Sequence, residues 1–211
     1  MRSARLLYVM DPMCSWCWGF APVVEALAEQ AGAAGVPLQL VVGGLRRERA
    51  AMEPAARVRI LAHWQAVNAS TGQLFNFRDA LPEGFVYDTE PACRALVTAR
   101  QLDEQSVVPL AGLIQQAFYA EGRDVTRAQL LVELAERAGI PRIEFAAAFD
   151  SEAMQAATAA DFAWVQDLGI AGFPTLLAER DGQLALLTNG YQPLQALAPL
   201  LGRWLERAVH A

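Results

Sequence analysis

The residues with the clearest chemical potential are two cysteines in the run Cys14-Ser15-Trp16-Cys17. Three positions apart at the start of a helix, they lie on one face and within reach of a disulfide. The unpaired amides and positive dipole end of that helix favour the thiolate form of Cys14. The thiolate is the nucleophile in disulfide exchange. The spacing therefore predicts that Cys14 attacks a disulfide and that Cys17, one turn deeper, resolves the mixed disulfide without any cofactor.

A Cys-x-x-Cys pair can also be half of a zinc site. Tetrahedral zinc needs two further ligands, and the chain offers only Cys93, His63 and His210, none of them paired at ligand spacing. The plainest interpretation, two small apolar side chains adjacent by chance, does not explain why the pair follows a strand and opens a helix. We therefore predict no metal site and a redox-active dithiol.

The composition is typical of a packed globular protein and excludes several chemistries. The chain has 211 residues, of which 54% are hydrophobic and 19% are charged. All 17 basic residues are arginine. The absence of lysine excludes a Walker A phosphate loop and any Schiff-base mechanism. With only 2 histidines, haem attachment and histidine-rich metal sites are disfavoured.

Charge and hydropathy indicate the compartment and the partners. A net charge of −6 opposes nucleic acids and anionic lipids. The apolar run 6–10 is interrupted by Asp11-Pro12 and is too short for the centre of a signal peptide, and no run approaches the roughly 18 apolar residues of a membrane span. An odd cysteine count argues against a structural disulfide framework. We expect a cytoplasmic protein without nucleic-acid or membrane partners; the oligomeric state stays open.

Hydrophobic patterning predicts the elements that position the cysteines. A buried strand at 6–10, a helix from Cys14 to a stop at Gly32 and a strand at 38–42 form a βαβ unit with parallel strands. A hairpin joins two later strands across Asp181-Gly182. The later strands are predicted at 175–178 and 184–187, and helices at 54–67, 90–101, 104–120, 126–138, 142–150, 152–168 and 194–209.

Capping residues predict several helix boundaries. Thr89 and Thr126 are expected to cap the N-termini of helices with their hydroxyls, and Gly122 and Gly139 are expected to end them.

The order of the elements predicts the fold class. A βαβ unit at the front and a ββα unit at the back surround a helical block. We predict an α/β fold in which residues 1–44 and 171–211 form one discontinuous domain and residues 45–170 form a helical insertion domain.

Two stretches resemble the signatures of the thioredoxin superfamily. The run from Asp11 to Pro22, DPMCSWCWGFAP, is similar to its active-site helix. Gly172-Phe173-Pro174-Thr175 is similar to its second signature, whose proline is cis and faces the cysteines. The long helical span between the two resembles the DsbA-like branch, and the Cys-Ser-Trp-Cys-Trp-Gly-Phe start most resembles its cytosolic DsbA-like or FrnE-like protein-disulfide isomerases. The resemblance covers the whole chain and implies a thioredoxin-like fold with a helical insertion.

The resemblance implies a thiol–disulfide oxidoreductase or isomerase acting on protein or small-molecule disulfides. In the reducing cytosol the pair should rest as a dithiol, which favours reduction or isomerisation. Ser15 and Trp16 replace the dipeptide histidine of periplasmic DsbA, which implies a less oxidising protein, and Phe173 is bulkier than the usual Thr or Val. The implied site residues are catalytic Cys14 and Cys17 and substrate-binding Ser15, Trp16, Phe173 and Pro174.

Two other function classes stay open. Kappa-type glutathione transferases and 2-hydroxychromene-2-carboxylate isomerases share the inserted architecture, but those relatives typically lack the second cysteine, so Cys17 counts against this hypothesis. A non-catalytic peptide-binding module could use the groove between the fold and its insertion. Glutathione is a candidate co-substrate, and the basic run Arg46-Arg47-Glu48-Arg49 could contact its carboxylates.

Five further residues are weighed, three of them with two interpretations each. Glu25 is either a buried acid that moves a proton to or from the resolving thiol or, as we predict, part of a solvated helix face. Trp18 either packs or contacts substrate. Cys93 is predicted to be an inert buried thiol, with a regulatory role as the alternative. His63 is predicted at the surface or its boundary, and His210 in the terminal segment.

Overall fold

The computed structural model describes residues 4–206, which contain a four-stranded sheet in the order β2-β1-β3-β4. Strand β1 (Ala4–Met10) pairs in parallel with β2 (Leu38–Val42), and helix α1 (Ser15–Ala33) connects them. The predicted βαβ unit and its parallel pairing are therefore confirmed.

The C-terminal hairpin closes the sheet. Strand β3 (Thr175–Arg180) pairs antiparallel with β1 and with β4 (Gln183–Asn189). Asp181 and Gly182 have φ angles of 51° and 78°, so both central residues of the turn are left-handed, as the Asp-Gly dipeptide predicts. Both strands exceed their predicted ranges, because backbone pairing continues through polar and charged residues that hydrophobic patterning does not mark.

A helical block lies between β2 and β3, as predicted, and a final helix follows the sheet. The helices are α2 (Pro54–Thr71), α3 (Glu90–Leu102), α4 (Val107–Gln115), α5 (Ala128–Arg137), α6 (Arg142–Phe149), α7 (Glu152–Asp167) and α8 (Leu194–Glu206). Residues 207–209 of the predicted last helix, and His210, lie outside the described residues. Among residues 4–206, no helix is both long enough and apolar enough to cross a membrane.

The single helix predicted at 104–120 is wrong. This stretch divides into a 3₁₀ turn at Glu104–Ser106, α4, and a π-helical turn at Gln116–Ala120. The Asp103 side chain accepts from the Gln105 amide and starts the 3₁₀ turn. At the other end the Glu121 amide donates to the Gln116 carbonyl, which widens the last turn. Apolar periodicity alone does not distinguish these helix types.

Three predicted helix boundaries need correction. The Thr89 hydroxyl donates to the Asp11 carboxylate instead of capping α3. Helix α5 begins at Ala128, and the Thr126 hydroxyl donates to Asp124 outside it. Helix α1 continues past Gly32 to Ala33, and Gly35, with φ of 74°, takes the left-handed conformation that ends it. The predicted stops at 122 and 139 are confirmed, since both glycines have positive φ.

The sheet separates two apolar layers because successive strand side chains point to opposite faces. Tyr8 and Met10 of β1 face the larger core, which includes α1 and α8. Leu7 and Val9 face a smaller cluster with Val165 of α7. The end of β1 therefore delivers the chain directly into the first turn of α1, where the cysteines lie.

Candidate active site

The cysteine pair lies at the junction of β1 and α1. Cys14 is the N-cap residue of α1, with φ −91° and ψ 117°, and its carbonyl accepts from the Trp18 amide at 3.1 Å. The Cys14 thiol contacts the Phe173 carbonyl oxygen with an Sγ–O distance of 3.6 Å. Both thiols are free. Cys14 therefore lies at the N-terminus of α1, where the first backbone amides of the helix have no partner within the helix.

The two thiols differ in their access to an open pocket. This active-site pocket has a volume of about 450 Å³, and Cys14, Ser15, Trp16 and Phe173 all line it. Cys17 is fully buried and does not contribute to its walls. The pocket thus brings together four of the six predicted site residues, whereas Cys17 and the buried Pro174 lie outside its lining.

Burial raises the pKa of the Cys17 thiol well above its ordinary value of 9.0. The Cys14 side chain raises it further through hydrogen bonding and charge, as does the charge of Asp11, while the Asp11 backbone opposes the shift. Cys17 is therefore a neutral thiol near pH 7. It has to lose a proton before it can act as a nucleophile.

This protonation state predicts the alkylation of Cys17. In a Cys14→Ser/Cys93→Ser variant, iodoacetamide should modify native Cys17 at least about tenfold more slowly near pH 7 than after unfolding in guanidinium. Because the folded pKa is raised, the thiolate forms only as the pH rises above 9.0, and the native rate should climb there. Mass spectrometry of timed samples measures both rates. A native-to-unfolded ratio that does not change with pH would indicate steric exclusion alone.

A buried carboxylate behind the pair was not identified from the sequence. Asp11 is 0% exposed, and four groups donate to it. The donors are the Met13 amide at 2.8 Å, the Leu45 amide at 2.7 Å, the Thr89 hydroxyl at 2.6 Å and the Cys93 thiol at 3.3 Å. Burial nevertheless raises the pKa of Asp11 above its ordinary value of 3.8, although the four hydrogen bonds lower it. This carboxylate joins the cysteine loop to the loop after β2 and to α3.

Cys93 belongs to the same cluster. It is 0% exposed, which confirms the predicted burial. Burial, followed by the neighbouring Asp11, raises the pKa of its thiol well above 9.0. Among the described residues, no group of three or more His, Cys, Asp and Glu side chains is arranged to hold a metal ion.

The loop before β3 forms the wall opposite Cys14. The Phe173–Pro174 peptide bond is cis, as the resemblance implied. The Phe173 ring packs against Gly43, where an added Cβ would overlap the ring. The large side chain at 173 thus fits because the residue facing it after β2 has no side chain.

The aromatic residues of the first turn have different surroundings. Trp16 is half-buried, with ring centroids 6.0 Å from His63 and 5.7 Å from Tyr191. Trp18 donates from Nε1 to the Leu74 carbonyl and stacks on Tyr119, so it packs against the helical block. His63 is exposed, as predicted, and also lines the active-site pocket.

The other surface predictions have mixed outcomes. Glu25 is exposed, which confirms the solvated face and excludes a buried proton acceptor at this position. The basic run does not act as one unit. Arg46 lines the active-site pocket, with its guanidinium 5.0 Å from the Tyr87 ring centroid, whereas Arg47 and Arg49 line a separate groove.

The fixed charges among the described residues that line the active-site pocket are all positive. Arg46 and Arg59 line it, both exposed, together with His63, and no carboxylate is among its described lining residues. Arg59 comes from α2 and was not a sequence candidate, because a single arginine on a helix has no distinguishing pattern. The pocket therefore combines a thiol, aromatic walls and two fixed positive charges, a combination suited to small anionic thiols or disulfides.

Comparisons with known proteins agree with this geometry. The family model of the DSBA-like thioredoxin domain matches residues 5–202. The chain therefore belongs to the DSBA-like thioredoxin family, and its α/β architecture is the thioredoxin fold with a helical insertion.

Several individual proteins are similar to this chain over almost its whole length. A candidate protein disulfide isomerase from Nitrosomonas europaea is 42% identical, with a TM-score of 0.91, covering 97% of this chain and 98% of that one. The cytosolic disulfide reductase DsbM from Pseudomonas aeruginosa is 31% identical, with a TM-score of 0.78, covering 95% and 98%. DsbM has also been solved with GSH. The ClpXP adapter protein SpxH from Halalkalibacterium halodurans is 23% identical over 98% of this chain and 70% of its own length.

Proposed function

We propose that the protein is a thiol–disulfide oxidoreductase that acts mainly as a reductase or isomerase through the Cys14–Cys17 dithiol. Cys14 attacks the substrate disulfide, and a mixed disulfide forms as one substrate thiol leaves. Cys17 then attacks Cys14, releases the second thiol and closes the intramolecular disulfide. Ser15, Trp16, Phe173 and Pro174 are proposed to bind substrate.

The unequal position of the two thiols carries this proposal. Cys14 opens into a pocket, whereas Cys17 is fully buried and its pKa is raised. A substrate sulfur that enters the pocket meets Cys14 first. Cys17 reacts second, with the mixed disulfide that Cys14 has formed with the substrate.

We place the protein in the cytoplasm, where reduction or isomerisation is the favoured direction of its reaction with substrate disulfides. The dipeptide Ser15-Trp16 brings no cationic side chain next to Cys14, so the reduced state has less stabilisation than a histidine would provide. The cytosolic disulfide reductase DsbM, an identified relative, supports the same direction. We also propose that residues 1–44 and 171–211 form one discontinuous domain and that residues 45–170 form a helical insertion domain.

Glutathione is the proposed small co-substrate. It carries two carboxylates, and the pocket offers the guanidinium groups of Arg46 and Arg59. The structure of DsbM with GSH supports this assignment. Glutathione conjugation of an electrophile that persists in Cys17→Ala would favour the transferase hypothesis over the dithiol mechanism.

Oxidation with glutathione disulfide tests the proposal directly. We expect the reduced protein to lose the mass of two hydrogens, and peptide mapping to link Cys14 with Cys17 while Cys93 stays free. Equilibration in glutathione buffers then gives the reduction potential of the couple, where a tenfold change in the equilibrium corresponds to about 30 mV. Failure to form the link under mild oxidant would contradict the proposal.

The proposed role of Arg46 and Arg59 predicts that the KM for glutathione disulfide depends on the charge of these two side chains. Arg46→Gln and Arg59→Gln should each raise KM for glutathione disulfide about three- to tenfold, because each removes one cation that faces the carboxylates. The value of kcat should change by less than about twofold. Arg49→Gln is the matched control, since Arg49 is exposed near Arg46 but lines the other groove. Equal effects of all three substitutions would indicate a general charge effect only.

A further inference from the structure

Two paired segments separate the active-site pocket from a neighbouring groove of about 420 Å³. The segment after β2 and the segment before α3 meet in an antiparallel bridge between Arg47 and Asp88. Successive side chains of paired segments point to opposite sides. Arg46 and Tyr87 accordingly line the active-site pocket, whereas Arg47 and Asp88 line the groove. Residues 46–47 and 87–88, here called the arginine ridge, thus form the wall that the two recesses share.

Aromatic rings, not carboxylates, hold the two arginines of this ridge. The guanidinium carbon of Arg46 lies 5.0 Å from the Tyr87 ring centroid, and that of Arg47 lies 5.8 Å from the Phe162 ring centroid. Phe162 packs against Gly44, where an added Cβ would lie 2.9 Å from the ring. Within the described part of the chain, no salt bridge joins either arginine to a carboxylate. Both side chains are therefore positioned while their N–H donors stay available.

The carboxylates that line the groove have other partners. Glu90 forms an ion pair with Arg94, with an O–N distance of 2.9 Å, and Asp88 Oδ1 accepts from the Glu90 amide at 3.0 Å. Glu48, which follows the ridge, is exposed and lines neither recess. The Arg47 side chain is exposed as well. The groove thus presents a positive charge that no carboxylate pairs with in the described residues.

The wall between the recesses favours a chain over a small anion. A molecule that fills only the active-site pocket meets Arg46, but it cannot meet Arg47 on the other side of the wall. An extended polypeptide advances about 3.3 Å per residue, so a segment that leaves the pocket across the ridge can contact both guanidinium groups. Asp and Glu side chains accept paired hydrogen bonds from such groups. The occupant that fits is an acidic polypeptide segment.

We propose that the arginine ridge binds an acidic segment beside the disulfide of a protein substrate, so that disulfides flanked by Asp or Glu react preferentially. The proposal rests on the dithiol function above. While Cys14 exchanges with the substrate disulfide in the pocket, carboxylates of the flanking segment bind Arg46 and then Arg47. The chain as a whole has a net charge of −6, which confines the attraction to this surface and opposes a nucleic acid.

Two matched peptides test this surface. Each has one intramolecular disulfide flanked on both sides by either four Asp or four Asn residues. Reduced protein in excess reduces the peptide, chromatography follows the reaction, and each rate is divided by the rate of the same peptide with dithiothreitol. The wild-type protein should reduce the Asp peptide about tenfold faster than the Asn peptide at low ionic strength. This ratio should approach one in about 1 M salt, which screens charges within roughly 3 Å.

Three variants assign the preference to the ridge. Arg47→Gln should lower the ratio about threefold, because it removes the charge on the groove side. Arg47→Lys keeps the charge and should lower the ratio by less than about twofold. Arg137→Gln is the matched control, since Arg137 is an exposed residue of α5 that lines neither recess, and it should leave the ratio unchanged.

The possible failures have different meanings. Equal normalised rates for the two peptides, a ratio that salt does not change, or equal losses in Arg47→Gln and Arg137→Gln would overturn this inference alone. A single-stranded oligonucleotide that inhibits at a lower concentration than the reduced, alkylated Asp peptide would also overturn it and would assign the ridge to nucleic acid. A wild-type protein that reduces neither peptide and forms no Cys14–Cys17 disulfide with glutathione disulfide would instead overturn the proposed function.

Discussion

Cys14→Ser is expected to reduce the rate of insulin reduction by at least about a hundredfold, to the level without protein. The hydroxyl of serine is a far poorer nucleophile toward sulfur than the sulfur of a cysteine. Among the residues that the structure describes, Cys14 is the only cysteine lining the active-site pocket, so no other thiol there can replace it. The turbidity of released insulin chains, with dithiothreitol as the electron source, measures the loss.

Two further variants accompany Cys14→Ser. The first separates the attack on the substrate from the resolution step, and the second is a control. Cys17→Ser should still attack and should accumulate a Cys14 mixed disulfide, which mass spectrometry detects, because the resolving thiol is absent. Cys93→Ser is the matched control, since Cys93 lies outside the pocket and serine can still donate to Asp11. Its rate should stay within about twofold of wild type. Comparable activity of Cys14→Ser and wild type would contradict the dithiol mechanism.

Asp11→Ala is expected to lower the free energy of unfolding by about 3 kcal/mol, because it leaves buried donors without an acceptor. The affected donors are the Met13 and Leu45 amides, the Thr89 hydroxyl and the Cys93 thiol. For a chain of this size, the melting temperature should fall by roughly 6–12 °C. Thermal and urea denaturation of the reduced protein measure both quantities.

The pH dependence of the Asp11 effect has a defined sign. Because burial raises the folded pKa above the ordinary 3.8, the folded protein retains a proton that the unfolded chain has lost. This contribution is fully present below 3.8 and is lost as the pH rises through the folded pKa. The advantage of wild type over Asp11→Asn should therefore decrease as the pH rises through that interval. Glu29→Ala, an exposed carboxylate of α1, is the control and should change stability by less than about 0.5 kcal/mol.

Local signals in the sequence were sufficient for the elements and for the reactive pair. The βαβ unit, the Asp181-Gly182 hairpin and the helical insertion were predicted because apolar periodicity and turn dipeptides act over a few residues. The same locality explains the failures. The π-helical turn at Gln116–Ala120 and the start of α5 at Ala128 depend on hydrogen bonds that apolar spacing does not reveal.

Residue type and helical spacing are sufficient to predict the chemistry available at the start of α1, which is that of two thiols one turn apart. The groups that surround the two thiols follow only from the way in which distant parts of the chain pack. Asp11 meets Leu45, Thr89 and Cys93 across long sequence separations. Such contacts arise when distant elements pack around one core. The access of Cys14 to the pocket and the burial of Asp11 are therefore properties of the folded chain.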